Sequence, residues 1–361
     1  MHPPSQTARG ALRGSFLPAG TASNLLEMPL ARGAYGLPGL PLAEQGEASE
    51  NCLHIGLINN MPDGVLLATE RQFYTLLGLA AGEKTVRLSL FSLPGVPRSS
   101  RARHHIDSCY SNIDDLWDSR LDGIIVTGAQ PVAENLCDEP YWRSLTKVAD
   151  WAENSGISAV WSCLAAHAVV LHTDGIGRRR LSTKLSGVFD CAKVSDHPLT
   201  ADMPARMRVP HSRWNELPED AIDDCGYHIL TRSERAGADT FVKQRKSLSV
   251  IFQGHPEYEA ESLLLEYRRD IRLFLRGERD SYPAMPQGCF DEEAVAQLTA
   301  LRERALSHPA EDLLARLSAV LQAGQVRNTW RPAAVALYRN WLKYLSTGKE
   351  SHRRSAHRRK A

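Results

Sequence analysis

The sequence lacks a long apolar run and an excess of charge of one sign. A helix that crosses a bilayer needs about 20 consecutive apolar residues, whereas the longest candidate, residues 164–171, is interrupted by His167. Lys and Arg total 43 against 42 for Asp and Glu, so no global field favours nucleic acid or a membrane surface. We therefore expect a soluble protein with a small-molecule substrate, and with neither nucleic acid nor a membrane as partner.

The sequence also lacks paired cysteines. Its seven cysteines are odd in number and scattered, and no two of them form a C-x-x-C motif. This pattern argues against a disulfide framework and against a zinc site, and it favours a reducing compartment. We expect a cytoplasmic protein that binds no metal.

Length and composition predict one main domain with flexible ends. The chain has 361 residues, against a working value of roughly 150 per domain. Residues 1–50 are rich in Gly, Pro, Ser and Ala and predict a flexible leader, with a transit peptide as the alternative. Residues 51–285 form the predicted domain, and residues 286–347 a helical extension that completes it. Residues 348–361 predict a basic, disordered tail, with anion or nucleic-acid attachment as the alternative.

Short apolar runs alternate with helical periodicity, which is typical of an α/β fold with a mostly parallel sheet and helices on both faces. The region 178–247 is more polar and predicts an insertion or a sheet edge, and the chain after Asp291 is helical. The predicted strands are 53–58, 86–91, 123–127, 157–162 and 248–253, and the predicted helices include 65–81, 141–151, 163–173 and 264–274.

Candidate catalytic residues follow three of the predicted strands. Ligands of α/β proteins sit beyond the carboxyl ends of the strands, and Cys163 lies where a strand enters a helix of small residues. The positive end of a helix dipole lowers the pKa of a thiol placed there, which suits a nucleophile. A buried structural cysteine is the alternative.

The other two junctions supply a base and a turn. His255 and Glu257 follow the last strand two residues apart, as a proton acceptor and the carboxylate that orients it require. Gly128 follows the third strand in a turn whose N–H groups could face an oxyanion, with a structural turn as the alternative. Arg98, Arg101 and Arg103 could meet the phosphates of a nucleotide, or form a solvated loop.

Several motifs in order along the chain resemble the homoserine O-acyltransferase family of the MetA type. The resemblance spans about residues 52–275, and Asn340 to Leu342 with Tyr344 resemble the closing helix of the family. The motifs are 58–62 (INNMP), 69–73 (TERQF), 122–129 (DGIIVTGA), 141–142 (YW), 184–188 (KLSGV), 210–213 (PHSR) and 254–258 (GHPEY).

The resemblance implies a class I glutamine-amidotransferase-like (flavodoxin-like) fold and acyl transfer from succinyl-CoA or acetyl-CoA to homoserine, in methionine biosynthesis. No cofactor is bound permanently, and a homodimer is left open. The implied roles are Cys163 as nucleophile, His255 as proton acceptor, Glu257 as its orienting partner, Lys184, Ser212 and Arg269 as substrate-binding residues, and N–H groups near Gly128 and Leu164 as the oxyanion site.

Two departures from the family pattern bear on the acyl donor. Asp63 and Gly64 stand where the family usually has lysine, which implies a different donor contact, and Val132 aligns with a position linked to the choice between succinyl and acetyl. No acid stands at Val132, so a succinyl donor is favoured over acetyl. The further alternatives are a glutamine-amidotransferase-like amide hydrolase and a non-catalytic binding protein.

Overall fold

A computed structural model describes residues 52–310, 312–323 and 326–358, so the predicted leader lies outside the described residues. One nine-stranded sheet runs through it in the order β2-β1-β3-β4-β9-β8-β7-β5-β6. The strands are β1 (Cys52–Ile58), β2 (Thr85–Phe91), β3 (Gly123–Val126), β4 (Ser158–Ser162), β5 (Arg179–Lys193), β6 (Arg206–Glu216), β7 (His228–Ser233), β8 (Gly237–Gln244) and β9 (Leu248–Phe252).

The sheet has a parallel half and an antiparallel half. Strands β2, β1, β3, β4 and β9 pair in parallel and are the five that the apolar runs predict. Strands β8, β7, β5 and β6 continue from β9 with antiparallel pairing throughout. The α/β class is confirmed, and so is the sheet edge predicted for 178–247. The five predicted strands pair in parallel as expected, and the antiparallel edge makes the sheet as a whole mixed.

Helices cover both faces of the parallel half, as predicted. Helix α1 (Leu66–Ala81) and helix α9 (Arg331–Arg358) share one apolar core with β1 and β2, and helices α3 (Trp142–Ser155) and α4 (Leu164–Asp174) share another with the opposite face. The remaining helices are α2 (Ser100–Cys109), α5 (Glu219–Asp224), α6 (Ser262–Leu275), α7 (Glu292–Ser307) and α8 (Leu313–Ala323).

The C-terminal helices divide into two parts. Helices α7 and α8 pack on α6 in a separate apolar cluster, whereas α9 returns to the sheet. There Trp341 is fully buried, and its Nε1 donates to Ser158 Oγ at 3.0 Å. A Cβ on Gly123 would lie 2.8 Å from the Trp341 ring, so the glycine at the start of β3 permits this close packing.

Helix α9 extends into the segment for which the sequence predicts a disordered tail. Its backbone stays helical to Arg358, because Arg, Lys, Glu and Ala are good helix formers. Lys349 Nζ also binds Asp122 Oδ2 at 2.8 Å, which ties this part of the helix to the end of the sheet. Residues 359–361 of the predicted tail lie outside the described residues.

No helix in the described part of the chain is long and apolar enough to span a membrane. Within the same residues, no group of three or more His, Cys, Asp and Glu side chains is placed to hold a metal ion.

Candidate active site

Cys163 lies on a sharp turn between β4 and α4. Its backbone has φ 53° and ψ −115°, a left-handed conformation that costs a residue with a Cβ about 1–3 kcal/mol and clusters at functional sites. The Cys163 N–H donates to the carbonyl of Phe252, the last residue of β9, at 2.9 Å. The turn therefore holds the thiol beside the carboxyl end of the neighbouring strand, as the sequence predicts.

His255 and Glu257 form a buried hydrogen-bonded pair next to this thiol. The distance between His255 Nδ1 and Glu257 Oε1 is 2.8 Å, and both residues are buried. Burial lowers the pKa of His255, but the Glu257 carboxylate and a hydrogen bond with Cys163 outweigh it and hold that pKa well above its ordinary value. The three residues are thus in contact in the order that nucleophile, base and orienting carboxylate require.

Two further side chains hold the base in place. The ring of Tyr258 stacks on His255 with centroids 4.2 Å apart, and its hydroxyl donates to Glu266 Oε1 at 2.6 Å. Ser162 Oγ donates to Glu257 Oε1 at a long 3.5 Å. The imidazole is therefore fixed at one edge by Glu257 and on one face by Tyr258.

The turn that contains Gly128 lies against the start of α4. A Cβ on Gly128 would come within 2.9 Å of the Leu164 backbone nitrogen, so only glycine allows this approach. Asn60 holds the turn in place through two hydrogen bonds to Thr127. Its backbone N–H donates to Thr127 Oγ1 at 2.8 Å, and its side-chain Nδ2 donates to the Thr127 carbonyl at 3.1 Å. Gly128 and Leu164 thus lie next to Cys163, where an oxyanion site is predicted.

Val132 lies further along the same loop. Its side chain is 61% exposed, and its N–H donates to Glu139 Oε1 at 2.9 Å. The influence of this position on the acyl donor stays a prediction.

The predicted substrate-binding residues come together through two carboxylates of α6. Lys184 Nζ binds Glu266 Oε2 at 3.0 Å and Asp270 Oδ2 at 3.2 Å, and Ser212 Oγ donates to the same Glu266. Arg269 binds Asp270 Oδ1 through Nε at 3.0 Å and Nη2 at 2.8 Å. Cations and carboxylates alternate here, which suits an amino acid that carries both charges.

Sequence reasoning assigned no role to Tyr258, Glu266 or Arg213, although Tyr258 and Arg213 fall in the quoted motifs and Glu266 lies three residues before Arg269. Arg213 on β6 is buried, and burial lowers the pKa of its guanidinium overall. A charge on Cys163 would act on that pKa in the opposite direction, so Arg213 lies near the nucleophile. Its guanidinium donates to the carbonyls of Asn215 and Ala236. Arg213 is thus a buried cation of the site that is held by two backbone carbonyls.

Two buried histidines near the site are not candidate bases. Burial lowers the pKa of His167, one turn beyond Cys163, to about 3, with Arg213 and Arg178 acting in the same direction. Burial also holds the pKa of His211 well below its usual range. Both imidazoles are therefore too weakly basic to hold the thiol proton, and among the described residues it is His255 that has the hydrogen bond with Cys163.

The structure does not support Arg98 as a phosphate contact. Its guanidinium is buried and donates to the carbonyls of Met61 and Asn59 and to Ser92 Oγ, and it also meets Asp63 at 3.4 Å. Arg98 thus ties the loop after β1 to the loop after β2. Asp63, which stands where the family usually has lysine, completes this tie by accepting the N–H of Ser99 at 2.7 Å.

Fold and geometry together define an α/β protein with a cysteine, a histidine and a glutamate in contact at the carboxyl ends of its parallel strands. Nucleophilic cysteine enzymes need this arrangement. A family model described as "Homoserine O-succinyltransferase" matches residues 42–352. The chain belongs to the homoserine O-succinyltransferase family, which confirms the resemblance seen in the motifs.

Relatives that match most of this chain agree with this assignment. Homoserine O-succinyltransferases of Methylorubrum extorquens and Rhodopseudomonas palustris are 48% and 47% identical over 300 residues, which are 83% of this chain and 89% and 90% of the relatives. A glutamine amidotransferase from Methylobacillus flagellatus has a TM-score of 0.46 and 16% identity over 82% of this chain and 95% of its own. One from Thermotoga maritima has a TM-score of 0.43 and 14% identity over 81% and 98%.

Proposed function

We propose that this protein transfers a succinyl group from succinyl-CoA to the hydroxyl of homoserine, with Cys163 as the covalent carrier, as a step of methionine biosynthesis. Family membership supports the reaction. The observation that carries the mechanism is the contact between the strained Cys163 turn and the buried His255–Glu257 pair.

In the first half-reaction the thiol proton moves from Cys163 to His255, which Glu257 orients through the 2.8 Å hydrogen bond. The thiolate attacks the thioester carbonyl, and a new C–S bond forms. When the tetrahedral intermediate collapses, the bond to the CoA sulfur breaks and His255 returns the proton to the departing CoA thiolate. The product is a succinyl thioester on Cys163.

Donors at the start of α4 stabilise the charge that develops on the carbonyl oxygen. The Leu164 N–H lies at the positive end of the helix dipole, directly after Cys163, and the Gly128 backbone approaches it closely. Fixed donors of this kind act on the intermediate more strongly than on the ground state.

In the second half-reaction homoserine takes the place of CoA. Its hydroxyl gives its proton to His255 and attacks the acyl carbonyl, so that a C–O bond forms and the bond to Cys163 breaks. Arg269, whose side chain is 49% exposed, offers guanidinium donors to the α-carboxylate. Lys184 and Ser212, both held by Glu266, complete the acceptor site.

Intact-mass measurement tests this function directly. Mixing with succinyl-CoA in the absence of homoserine is expected to add one succinyl group to the wild-type chain and none to Cys163→Ala, and homoserine is then expected to remove it. An adduct that forms only with acetyl-CoA would make the protein an acetyltransferase. Turnover of glutamine without any adduct from a CoA ester would instead identify an amide hydrolase.

A further inference from the structure

Two arginines lie against the indole of Trp214, and a third lies near one of them. The guanidinium of Arg180 on β5 lies 4.7 Å from the ring centroid, and that of Arg279, which follows α6, lies 5.6 Å from it. Arg178 precedes β5, near enough to Arg180 for their charges to repel. We call Arg178, Arg180 and Arg279 the arginine cluster.

The cluster has donors that the protein does not use. Arg178 Nη1 is buried with no hydrogen-bond partner among the described residues, and the ion pairs of this part of the structure include none for Arg178 or Arg180. Arg279 meets Asp270 at 3.6 Å, but that carboxylate also binds Lys184. The Glu139 carboxylate also acts on Arg178, so three guanidiniums share two carboxylates and positive charge remains in excess. Stacking on Trp214 fixes the orientation of two of the guanidiniums.

The position of the cluster relates it to the acyl-transfer site. Arg178 Nη2 donates to the carbonyl of Glu134, in the loop that begins at Gly128, at 3.1 Å. Arg178 also acts on His167, one turn beyond Cys163. On the other side, Arg279 reaches Asp270 of the acceptor site. The cluster thus lies between the predicted oxyanion turn and the residues expected to bind homoserine.

We propose that the arginine cluster binds the phosphates of the nucleotide portion of the acyl-CoA donor. Guanidiniums match phosphate oxygens in pairs, and those that lack a carboxylate partner keep their donors for a ligand. A CoA ester has its phosphates at the end opposite the thioester, so a basic site at the rim and a nucleophile in the interior fit the two ends of one molecule. This inference rests on the proposed function for the identity of the donor.

The alternative basic surface is less suited to phosphate. Arg101 and Arg103 are exposed on α2. Arg98, which precedes them, already donates its guanidinium hydrogen bonds to the carbonyls of Met61 and Asn59. None of the ring contacts found in the described part of the chain places an aromatic side chain against Arg101 or Arg103. Their side chains would have to be ordered by the ligand itself, at an entropic cost.

Two acyl donors, one with the nucleotide and one without it, separate phosphate binding from the chemical step. In Arg180→Gln the KM for succinyl-CoA is expected to rise about tenfold, because a hydrogen bond to a charged group is lost. With succinyl-N-acetylcysteamine, which has the thioester but no nucleotide, kcat/KM should equal that of the wild type. Trp214→Leu should show the same pattern, since it releases the stacked guanidiniums. Arg304→Gln, an exposed arginine on α7, is the matched control and should leave both donors unaffected.

Calorimetric titration with CoA makes the inference independent of turnover. The Kd of CoA should rise by the same factor, about tenfold, in Arg180→Gln. If Arg180→Gln lowers kcat/KM equally with succinyl-CoA and with succinyl-N-acetylcysteamine, Arg180 has a structural role and the inference is overturned. If the double variant Arg101→Gln/Arg103→Gln loses affinity for CoA and Arg180→Gln does not, the phosphates bind at α2 and the inference is wrong. If the wild type binds CoA through Arg180 but forms no adduct, the proposed function fails and the phosphate site stands.

Discussion

The two halves of the sheet differ in what covers them and in what they contribute to the site. Every residue of β3 and β4 is buried, because helices pack on both faces there. In the antiparallel half, by contrast, the first seven residues of β5 are exposed or only partly buried. The parallel half holds Cys163 and His255 at strand ends, and the antiparallel half contributes Lys184, Ser212 and Arg180.

This difference assigns separate tasks to the two halves. Bond making needs groups held to within a fraction of an ångström, which a sheet buried on both sides provides. Recognition of charged substrates needs polar and charged groups at the protein surface, and we propose that the partly exposed strands β5 and β6 supply them through Lys184, Arg180 and Ser212. Variants of the parallel half should therefore slow the chemical steps, whereas variants of the antiparallel half and of α6 should change KM.

The largest effect is expected for Cys163→Ala. Loss of the sulfur should lower the rate of acyl transfer by about 10⁴-fold or more, while alanine accepts the same backbone conformation no worse than cysteine. A stopped assay with succinyl-CoA and homoserine measures the rate. Cys137→Ala, which changes an exposed cysteine, is the control, and near-normal activity of Cys163→Ala would disprove the covalent mechanism.

His255→Ala should cost more than Glu257→Gln. A positioned general base is worth about 10² to 10⁴ in rate, and glutamine keeps a hydrogen-bonding partner for the imidazole while removing the charge. Single-turnover release of CoA should slow in both variants, with thermal unfolding as the check on folding. Equal rates for Glu257→Gln and wild type would remove Glu257 from the catalytic group.

Arg269→Lys tests the acceptor site. Lysine keeps the charge but not the planar fork that pairs with a carboxylate, so the KM for homoserine should rise about tenfold through loss of a charged hydrogen bond. Acylation of Cys163 by succinyl-CoA should proceed at the wild-type rate. Slower acylation with an unchanged homoserine KM would place Arg269 in the donor site instead.

Ser212→Ala should give a smaller effect of the same kind. The hydroxyl donates to Glu266, which also binds Lys184 and Tyr258, so its loss loosens a network whose other members remain. We expect the KM for homoserine to rise about threefold, as for one neutral hydrogen bond. A fall in single-turnover acylation without a change in KM would show that β6 takes part in the chemistry.

The pH profile of Glu257→Gln provides the most selective test, without any requirement for a large change in maximal rate. The Glu257 carboxylate is the leading influence that raises the pKa of His255 against burial. Without it that pKa falls, so His255 stays neutral, and able to accept the thiol proton, down to a lower pH, and the acidic limb of acylation should move to lower pH. The pair stabilises the folded wild type below the His255 pKa, and this stabilisation is lost as pH rises through it. An unmoved acidic limb would contradict the assignment.

Much of the parallel half could be predicted from the sequence. Strands β1, β2 and β9 and helices α1 and α4 follow from apolar runs that agree with the structure to within a residue or two, because strands buried on both faces need nearly continuous apolar residues. Strands β5 to β8 could not be predicted in the same way. Buried and exposed positions mix along β5, β6 and β7, so no clear period remains there, and β8, although buried over most of its length, contains Asp239, Thr240 and Lys243 and so lacks a continuous apolar run.

The sequence by itself determined the strand-end positions of Cys163, His255 and Gly128 and the motifs of the family, because these depend on residue types at fixed local spacing. Tertiary structure alone decided which groups meet. Tyr258 stacks on His255, and Glu266 accepts hydrogen bonds from both Lys184 and Ser212. The guanidinium of Arg98 donates to loop carbonyls instead of facing a ligand. Such contacts join residues far apart in the chain, and burial and distance, which set charge and pairing, do not exist until the sheet is assembled.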